Sequence, residues 1–503
     1  MSDWFEKIIE KIQSISAKID SYKEDTVIQS LPSVAYVNRA KKCLEEGRLK
    51  DALDILTEAE SLPQEDALVY KYEGIVYDKL FRFVDSVKAY KKSANLNRND
   101  KTIWKFLGFA LLNTGIYDEA VESFENADKL TPAHSEVLTG WGMALMKQKK
   151  DAEAREKFVE ASKANKYNLN ALFLAAVMEI KLKMYDDAEG KLQFLAHVAP
   201  NEGNSYEYAK LMFLKNNYDD ALFYADKALD FNKNMLPAYL LKGEIYRLRY
   251  DEENSLANYK KAEELSLIAP NLFIEWAFSL IRFEKYNEAH ERIHKAEELD
   301  SNNEEVKLIK AYLDTVSGKI EGCREIFENA IPVNETKSFA LTGLGLVYCV
   351  QEDYTEGIHC FKSALQADLP DSVNYYYIAK AYMHLGDSSN AREYFENAIK
   401  ENPKRIKTYT DYAKFLISEN EIAEASRKLR KSLKYAKNNL EILNMLFFTG
   451  YILVMENICE YNIKETLEIE KKIKNIDENG FKYPDKSAEL AEMLNKLHEK
   501  EKN

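Results

Sequence analysis

Small residues recur along this chain at an almost constant spacing, and bulky apolar residues fill the positions between them. When positions are counted within units of 34 residues, position 8 holds only Gly or Ala in twelve successive units. The step is 34 residues everywhere except between Ala176 and Ala209, where it is 33. A period of this length predicts an array of supersecondary units that are stable only when stacked on one another. The twelve small residues are Ala40, Gly74, Gly108, Gly142, Ala176, Ala209, Gly243, Ala277, Ala311, Gly345, Ala379 and Ala413.

Two further columns of small residues lie at positions 20 and 27, and Leu195 is the one large residue in the three columns. Small residues in register let two helices approach closely, and bulky residues such as Leu107 and Phe124 fill the remaining volume. Position 15 holds Gly or Asn in six units, and these residues tolerate the left-handed conformation that ends a helix. Each unit is therefore predicted to be a helix hairpin.

The third unit, from Trp104 to Pro132, has the pattern W-x2-L-G-x8-Y-x2-A-x3-F-x2-A-x4-P. This pattern resembles a tetratricopeptide repeat at every signature position. The resemblance covers residues 33–439 in twelve units, and a degenerate thirteenth unit begins at Leu440. It implies an all-α fold, a right-handed α-solenoid or superhelix of stacked helix hairpins with about twelve to thirteen repeats. The twelve units are predicted to begin near residues 33, 67, 101, 135, 169, 202, 236, 270, 304, 338, 372 and 406.

The two ends of the chain differ from the repeats. Residues 1–32 carry one apolar stripe that runs from Trp4 to Ile19, which predicts an N-terminal amphipathic helix. We interpret this helix as a cap on the first repeat, and the alternatives are self-association and docking on another protein or a membrane. Residues 440–503 are predicted to contain the degenerate repeat and C-terminal capping helices, because the apolar helix that begins at Leu440 needs cover.

Charge and composition exclude several classes of protein. The formal net charge of −14 argues against a protein whose main ligand is nucleic acid, because such binding needs clustered Lys and Arg. The most apolar stretch, Ile442 to Met455, is 14 residues long, whereas a transmembrane helix needs about 20. The N-terminus has no uninterrupted apolar region and does not resemble a signal peptide. Five scattered cysteines fit reduced thiols. We therefore expect a cytoplasmic protein with no membrane span.

One motif has the spacing of a catalytic metal site. His290, Glu291 and His294 spell H-E-x-x-H, which in metalloproteases places two imidazoles on one helical face for zinc, with a carboxylate as base. These residues also occupy positions 21 to 25 of the eighth unit, so repeat packing already explains their helix. The chain has no Walker A, dinucleotide-binding or nucleophile-elbow motif. We expect no enzyme, catalytic residue, metal or cofactor; a zinc metallopeptidase is kept as an alternative.

The resemblance implies a non-catalytic scaffold or adaptor whose first helices line a concave groove for an extended peptide or helix of another protein. At position 9, an inward position of the family, seven of the twelve residues are apolar, in units two to five and eight to ten. Either tight superhelical curvature buries this column, or the column forms two apolar tracts that contact a partner. The groove is predicted to contain Ile75, Phe109, Met143, Phe173, Val177, Ile274, Phe278, Tyr312, Phe339 and Leu346.

Two further expectations concern assembly and regularity. A structural spacer that forms a homodimer through the N-terminal helix is an alternative to the scaffold.

The 33-residue step follows Leu195, and position 9 changes from apolar to polar at the same place. This coincidence predicts a local change of superhelical twist between units five and six.

Overall fold

A computed structural model describes residues 32–333, 336–367, 371–456 and 463–477, together with the positions 492, 495–497 and 499–500. Within these residues the secondary structure is helical, with no strand. Residues 1–31 of the predicted N-terminal helix and most of the predicted capping helix near the C-terminus lie outside the described part. The chain divides into two compact units, the N-terminal unit (Met1–Lys233) and the C-terminal unit (Asn234–Asn503).

The described helices pair into successive hairpins in both units, which confirms the predicted all-α fold of stacked hairpins. In the N-terminal unit the six pairs are α1 (Pro32–Glu45) and α2 (Leu49–Glu60), α3 (Ala67–Lys79) and α4 (Phe83–Leu96), α5 (Lys101–Thr114) and α6 (Tyr117–Leu130), α7 (Ser135–Lys147) and α8 (Asp151–Ala164), α9 (Leu169–Lys181) and α10 (Tyr185–Val198), and α11 (Glu202–Leu214) and α12 (Tyr218–Phe231).

The C-terminal unit continues the same pairing through the described residues. Its seven pairs are α13 (Leu236–Leu248) and α14 (Glu252–Glu264), α15 (Pro270–Arg282) and α16 (Tyr286–Leu299), α17 (Glu304–Val316) and α18 (Cys323–Ala330), α19 (Lys337–Val350) and α20 (Tyr354–Ala367), α21 (Ser372–His384) and α22 (Ser388–Glu401), α23 (Ile406–Ser418) and α24 (Ile422–Ser432), and α25 (Leu440–Met455) and α26 (Ile463–Ile476).

Aromatic rings explain why position 8 is glycine in five hairpins. A Cβ atom on Gly142 would lie 2.7 Å from the ring of Phe158, the position 24 residue of the same hairpin. Where position 24 is aliphatic, position 8 is alanine, as in the pair of Ala176 and Leu192. The exceptions are the two hairpins that combine alanine with Phe327 or Phe395. The other close pairs are Gly74 with Tyr90, Gly108 with Phe124, Gly243 with Tyr259 and Gly345 with Phe361.

The turn between the two helices has the same backbone conformation in all twelve repeats. The residue at position 15 has a left-handed φ, between +53° and +83°, in every one of them. The Gly and Asn residues at this position were expected to adopt it. The other six are side chains for which this conformation costs about 1–2 kcal/mol, so the packing of the hairpin decides it. These six residues are Phe81, Lys149, Lys183, Tyr250, Glu284 and Glu352.

One second helix is shortened at both ends. Helix α18 has eight residues, because Gly322 adopts a left-handed conformation (φ +72°) just before it and Pro332 follows closely after it.

The irregular 33-residue step lies inside the N-terminal unit, whereas the division into two units comes after Lys233. The predicted twist between units five and six, and the predicted boundaries at residues 33 and 440, remain predictions.

Two carboxyl groups on α3, Glu73, which is buried, and Asp78, which is half-buried, are expected to make stability depend on pH. Burial and the charge of Glu60 raise the pKa of Glu73 to about 7, and burial raises that of Asp78 to about 6. Both folded pKa values exceed the unfolded ones, so the folded protein binds more protons and stability should fall as pH rises from about 4 to 7. In the Glu73→Gln variant, the free energy of unfolding should fall less over this pH range than in the original protein, by on the order of 1 kcal/mol. Urea unfolding at a series of pH values measures this difference.

The control for this prediction is a carboxyl group that lies on the surface. Glu122 is exposed on α6, and Glu122→Gln should keep the pH dependence of the original protein. A Glu73→Gln protein whose unfolding midpoint changes with pH as much as that of the original would contradict the assignment.

Candidate functional site

The ten predicted groove residues all lie on first helices, and each predicted tract belongs to one unit. The inner tract of the N-terminal unit is on α3, α5, α7 and α9, and that of the C-terminal unit is on α15, α17 and α19. Four of the ten side chains are half-buried: Ile75, Val177, Phe278 and Phe339. The remaining six are at most 8% exposed, so the chain itself covers them; they are Phe109, Met143, Phe173, Ile274, Tyr312 and Leu346.

The inner tract of the N-terminal unit is packed by aromatic and small residues. The ring of Phe109 lies edge-on to that of Phe124, with 5.1 Å between the ring centres. Gly140 of the next first helix adjoins both rings, and a Cβ atom there would come within 2.9 Å of each. Phe109 therefore stabilises the contact between successive hairpins, and the half-buried side chains of this tract retain the accessible surface.

Two buried lysines lie one turn before the apolar column, at position 5. The Nζ atom of Lys71 is 3.1 Å from Asp100 Oδ2, and that of Lys105 is 3.1 Å from Glu136 Oε2. Burial raises the pKa of Asp100, but the charge of Lys71 and hydrogen bonds from Thr102 outweigh it and lower the pKa below its usual value. These pairs join successive hairpins and leave a charged band beside the tract.

The inner tract of the C-terminal unit is an aromatic cluster. The ring centre of Phe339 is 5.0 Å from that of Phe278 and 4.7 Å from that of Tyr312. Burial raises the pKa of the Tyr286, Tyr312 and Tyr377 hydroxyl groups well above their usual value, so all three stay protonated at neutral pH.

A polar network joins the early hairpins of the C-terminal unit to its later ones. Arg282, the last residue of α15, has its Nη1 atom 2.5 Å from Asp371 Oδ1, just before α21. Its Nη2 atom donates a hydrogen bond to Tyr250 Oη, and Tyr250 Oη lies 3.4 Å from Ser372 Oγ. Residues up to 122 positions apart in the sequence are thus in contact.

The second half of this network is the ion pair of Arg405 with Glu284. Arg405 precedes α23 and donates from Nε to Glu284 Oε1 at 3.1 Å and from Nη2 to the same oxygen. Its guanidinium group lies 3.9 Å from the ring centre of Tyr376. Burial lowers the pKa of Arg405, but the charge of Glu284 outweighs this effect, and Arg405 stays charged. We call the two ion pairs, Arg282 with Asp371 and Arg405 with Glu284, the clasp.

Sequence reasoning missed the clasp. Its residues occupy turns and helix ends, where charged side chains are ordinarily solvated, and each partner lies several repeats away. One sequence signal does accompany the clasp. Glu284, a clasp residue, and Tyr250, which accepts a hydrogen bond from Arg282, both occupy the left-handed position 15, where Gly or Asn is favoured. That signal is weak by itself, since Lys149 and Lys183 share the same conformation.

The H-E-x-x-H residues lie on α16 with no metal-binding geometry around them. His294 and Glu291 are exposed and His290 is half-buried. His294 Nδ1 is 3.4 Å from Glu298 Oε1, and no cluster of three His, Cys, Asp or Glu side chains suited to a metal occurs among the described residues. Four described cysteines are free thiols, and burial raises the pKa of Cys349 to about 12. No described helix combines the length and hydrophobicity needed to cross a bilayer.

The stacked hairpins define a helical repeat protein. The sequence profile of the tetratricopeptide repeat matches residues 373–405, which contain most of α21 and all of α22. Together with the first relative described below, this match supports a tetratricopeptide repeat protein.

Three known proteins illustrate the similarity. A TPR repeat-containing protein of Methanocaldococcus jannaschii is 27% identical over 285 residues, 56% of this chain and 43% of the relative. The BBSome complex member BBS4 of Bos taurus is 22% identical over 289 residues, 51% of this chain and 54% of the relative. The chain thus spans about half the length of these curated relatives. A chain of the APC/C hetero-tetramer Cut9–Hcn1 has a similar fold, with a TM-score of 0.52, 12% identity, and coverage of 93% of this chain and 97% of that one.

Proposed function

We propose that this protein is a non-catalytic scaffold or adaptor that binds a peptide or helix of a partner protein on its first helices. The supporting observation is the half-buried apolar surface that remains at the inner positions, Ile75 and Val177 in one unit and Phe278 and Phe339 in the other. Apolar side chains with part of their surface accessible gain stability when a partner covers them.

The chemistry of the partner follows from charge and from the relatives. A net charge of −14 disfavours nucleic acid, so the proposed partner is another protein and the proposed location is the cytoplasm. The bovine relative is a member of a protein complex, which agrees with a role in assembly. The described residues offer no cluster for a structural or catalytic metal.

The burial of each groove residue decides whether its substitution can test partner binding without disrupting the fold. Phe109 and Tyr312 are almost fully buried, so charged replacements there would disrupt the fold itself. Ile75 and Val177 occupy position 9, which is lysine in four other repeats, namely Lys41, Lys210, Lys380 and Lys414. Lysine is therefore compatible with the backbone and neighbours at this position.

The double variant Ile75→Lys and Val177→Lys should lose partner capture while keeping the fold. We expect roughly a tenfold or greater loss, because lysine removes apolar contact and adds a charge that must be desolvated on binding. The measurement is affinity capture of the full chain and its variant from a cell extract, with the bound proteins quantified by mass spectrometry.

A matched control lies on a second helix. Val159 on α8 is half-buried at position 25, where another repeat has Lys91, so Val159→Lys makes the same change away from the inner tract. The control should retain capture, and circular dichroism should be the same for all three proteins. Equal capture by the original chain and the inner variant would exclude the inner tract as the binding site.

A further inference from the structure

The clasp closes a loop of hairpins within the C-terminal unit. Arg282 ends α15 and Glu284 lies in the turn that follows, whereas their partners, Asp371 and Arg405, directly precede α21 and α23. The clasp therefore joins one hairpin to two others that come three and four repeats later. Hairpins in a stack of repeats mainly contact their neighbours, so the clasp is a contact that stacking alone does not require.

The clasp adjoins the inner tract of the C-terminal unit. The charges of Asp371 and Arg405 both act on the hydroxyl group of Tyr312, and this hydroxyl group is hydrogen-bonded to that of Tyr377 on α21. The ring of Tyr312 lies against that of Phe339, a residue of the tract. Helix α21, whose start is held by the clasp, thus covers Tyr312 through Tyr377.

The hairpins of the unit themselves occupy this tract. Tyr312 is only 3% exposed, although it stands at an inward position. Phe278 and Phe339 are half-buried, and their rings pack on each other with 5.0 Å between the ring centres. Only part of the apolar surface of these two residues therefore remains for another molecule.

The chemistry of the clasp favours a reversible contact. The carboxylate side chains of Asp371 and Glu284 are 28% and 25% exposed, so both keep part of their hydration when the clasp is closed. The Nε atom of Arg282 is buried and has no acceptor among the described residues, which leaves the closed state with an unsatisfied donor. Desolvation also offsets much of the attraction within a buried ion pair. The net gain from closing is therefore smaller than the cost of deleting one partner, and a ligand that prefers the open state can shift the equilibrium.

The hairpin of α17 and α18 lies inside the loop that the clasp closes, and its turn is unusually long. Six residues, 317–322, separate α17 from α18, whereas two or three separate the paired helices of the other eleven repeats. Gly318 and Gly322 in this turn both have a left-handed φ, +83° and +72°. Hinges are commonly a few residues at the ends of elements that absorb a change of backbone angle. This turn has the features of such a hinge.

We propose that the clasp is an autoinhibitory contact, which keeps the inner tract of the C-terminal unit covered by the unit's own hairpins until both ion pairs open. In the closed state Phe339 packs on Phe278 and Tyr312. In the open state Tyr377 leaves Tyr312, and the apolar surface of the tract becomes accessible to a segment of a partner protein. The partner rests on the proposed function, whereas the opening of the clasp does not.

The test removes both carboxylate charges from the clasp and keeps the size of the side chains. The double variant Glu284→Gln and Asp371→Asn, called the open-clasp variant, is made in the full chain. Asp371 caps α21 by accepting a hydrogen bond from the backbone of Val373, and asparagine preserves this cap. The matched control is Glu421→Gln, which removes an exposed carboxylate that pairs with Arg392 in the same unit. Circular dichroism should be the same for all three proteins.

Nitration by tetranitromethane, with the modified tyrosines identified by mass spectrometry, measures opening at single residues. The reagent attacks the phenolate form, which burial disfavours at Tyr312 and Tyr377. Both should be protected in the original protein and in the control, and should react roughly tenfold faster or more in the open-clasp variant. Tyr167 is 93% exposed and should react in every protein. Tyr259 is fully buried inside the hairpin of α13 and α14 and should stay protected, because it becomes accessible only when the hairpin itself unfolds.

Binding of the uncharged apolar dye Nile red tests whether opening uncovers the inner tract. Its fluorescence should be roughly twofold higher or more with the open-clasp variant than with the original protein. Addition of Phe278→Lys to the open-clasp variant should abolish this rise, because Phe278 belongs to the surface that opening uncovers. Lysine occupies the same repeat position in four other repeats, so the fold should tolerate it.

Three outcomes would overturn the proposal. They are equal nitration of Tyr312 in the original protein and the open-clasp variant, nitration of Tyr259 together with Tyr312, and a rise in dye fluorescence that persists after Phe278→Lys. The second outcome would show that the charges hold the hairpins folded and do not control access to the tract. These measurements use the chain without a partner, so their result is independent of partner capture by the inner variant of Ile75 and Val177.

Discussion

Arg405→Ala is expected to lower the free energy of unfolding of the C-terminal unit by about 3–5 kcal/mol. The Arg405 side chain is 7% exposed, and its removal leaves the Glu284 carboxylate without its cation in a largely buried site. Removal of one member of a buried ion pair is costly, because the remaining charge cannot regain its hydration. The variant also loses the contact of the guanidinium group with the Tyr376 ring. Urea unfolding of the full chain, followed by circular dichroism, measures the change.

An exposed ion pair provides the control for this experiment. Arg392 pairs with Glu421 at the surface of the same unit, and Arg392→Ala should cost less than about 1 kcal/mol. Arg405→Lys should recover only part of the loss, because an ammonium group cannot reproduce both the two hydrogen bonds to Glu284 and the contact of the planar guanidinium group with the Tyr376 ring. If Arg405→Ala and Arg392→Ala cost the same, the clasp does not stabilise the unit.

Phe158→Ala is expected to destabilise the N-terminal unit by a similar amount, about 3–5 kcal/mol. The Phe158 side chain is fully buried and lies against the backbone of Gly142, so its removal leaves a cavity inside the hairpin of α7 and α8. Neighbouring hairpins restrain these helices on both sides, which limits collapse of the cavity. The same urea titration measures the loss.

The pairing of positions 8 and 24 supplies a sharper version of this test. Gly142→Ala would place its Cβ atom 2.7 Å from the Phe158 ring and should cost about 1–3 kcal/mol, although alanine is the better helix former. Phe158→Leu should relieve the clash, since Ala176 and Leu192 form this pair in the fifth repeat. Additive effects of the two substitutions would contradict the pairing.

Sequence reasoning identified the hairpins because their signals are local. The small columns, the bulky residues between them and the Gly or Asn at position 15 each report on contacts within one or two successive hairpins. It did not identify the left-handed conformation of Tyr250 or Glu284, because intrinsic preference disfavours it and the geometry of the turn imposes it. The aromatic explanation of glycine against alanine at position 8 likewise required the distance between Gly142 and Phe158.

The sequence predicted which helices carry the candidate groove residues, but not how exposed these residues are. The inward column falls on the first helices, as position 9 indicated, and the two tracts fall in separate units. Of the two alternatives stated for this column, burial by the chain itself describes four of its seven apolar residues, and accessible surface remains at Ile75, Val177 and Phe278. Burial depends on how successive hairpins are rotated, and that rotation is the sum of many small packing differences that no single position reveals.

The repeat, the helix hairpin and the position of the inner column could all be predicted from the sequence, because a 34-residue period encodes contacts between residues that are close along the chain. Long-range packing fixed which inner side chains stay accessible and brought Arg282 and Arg405 to Asp371 and Glu284. Contacts between residues separated by 89 and 121 positions depend on the accumulated geometry of several hairpins. That geometry leaves no periodic signal in the sequence.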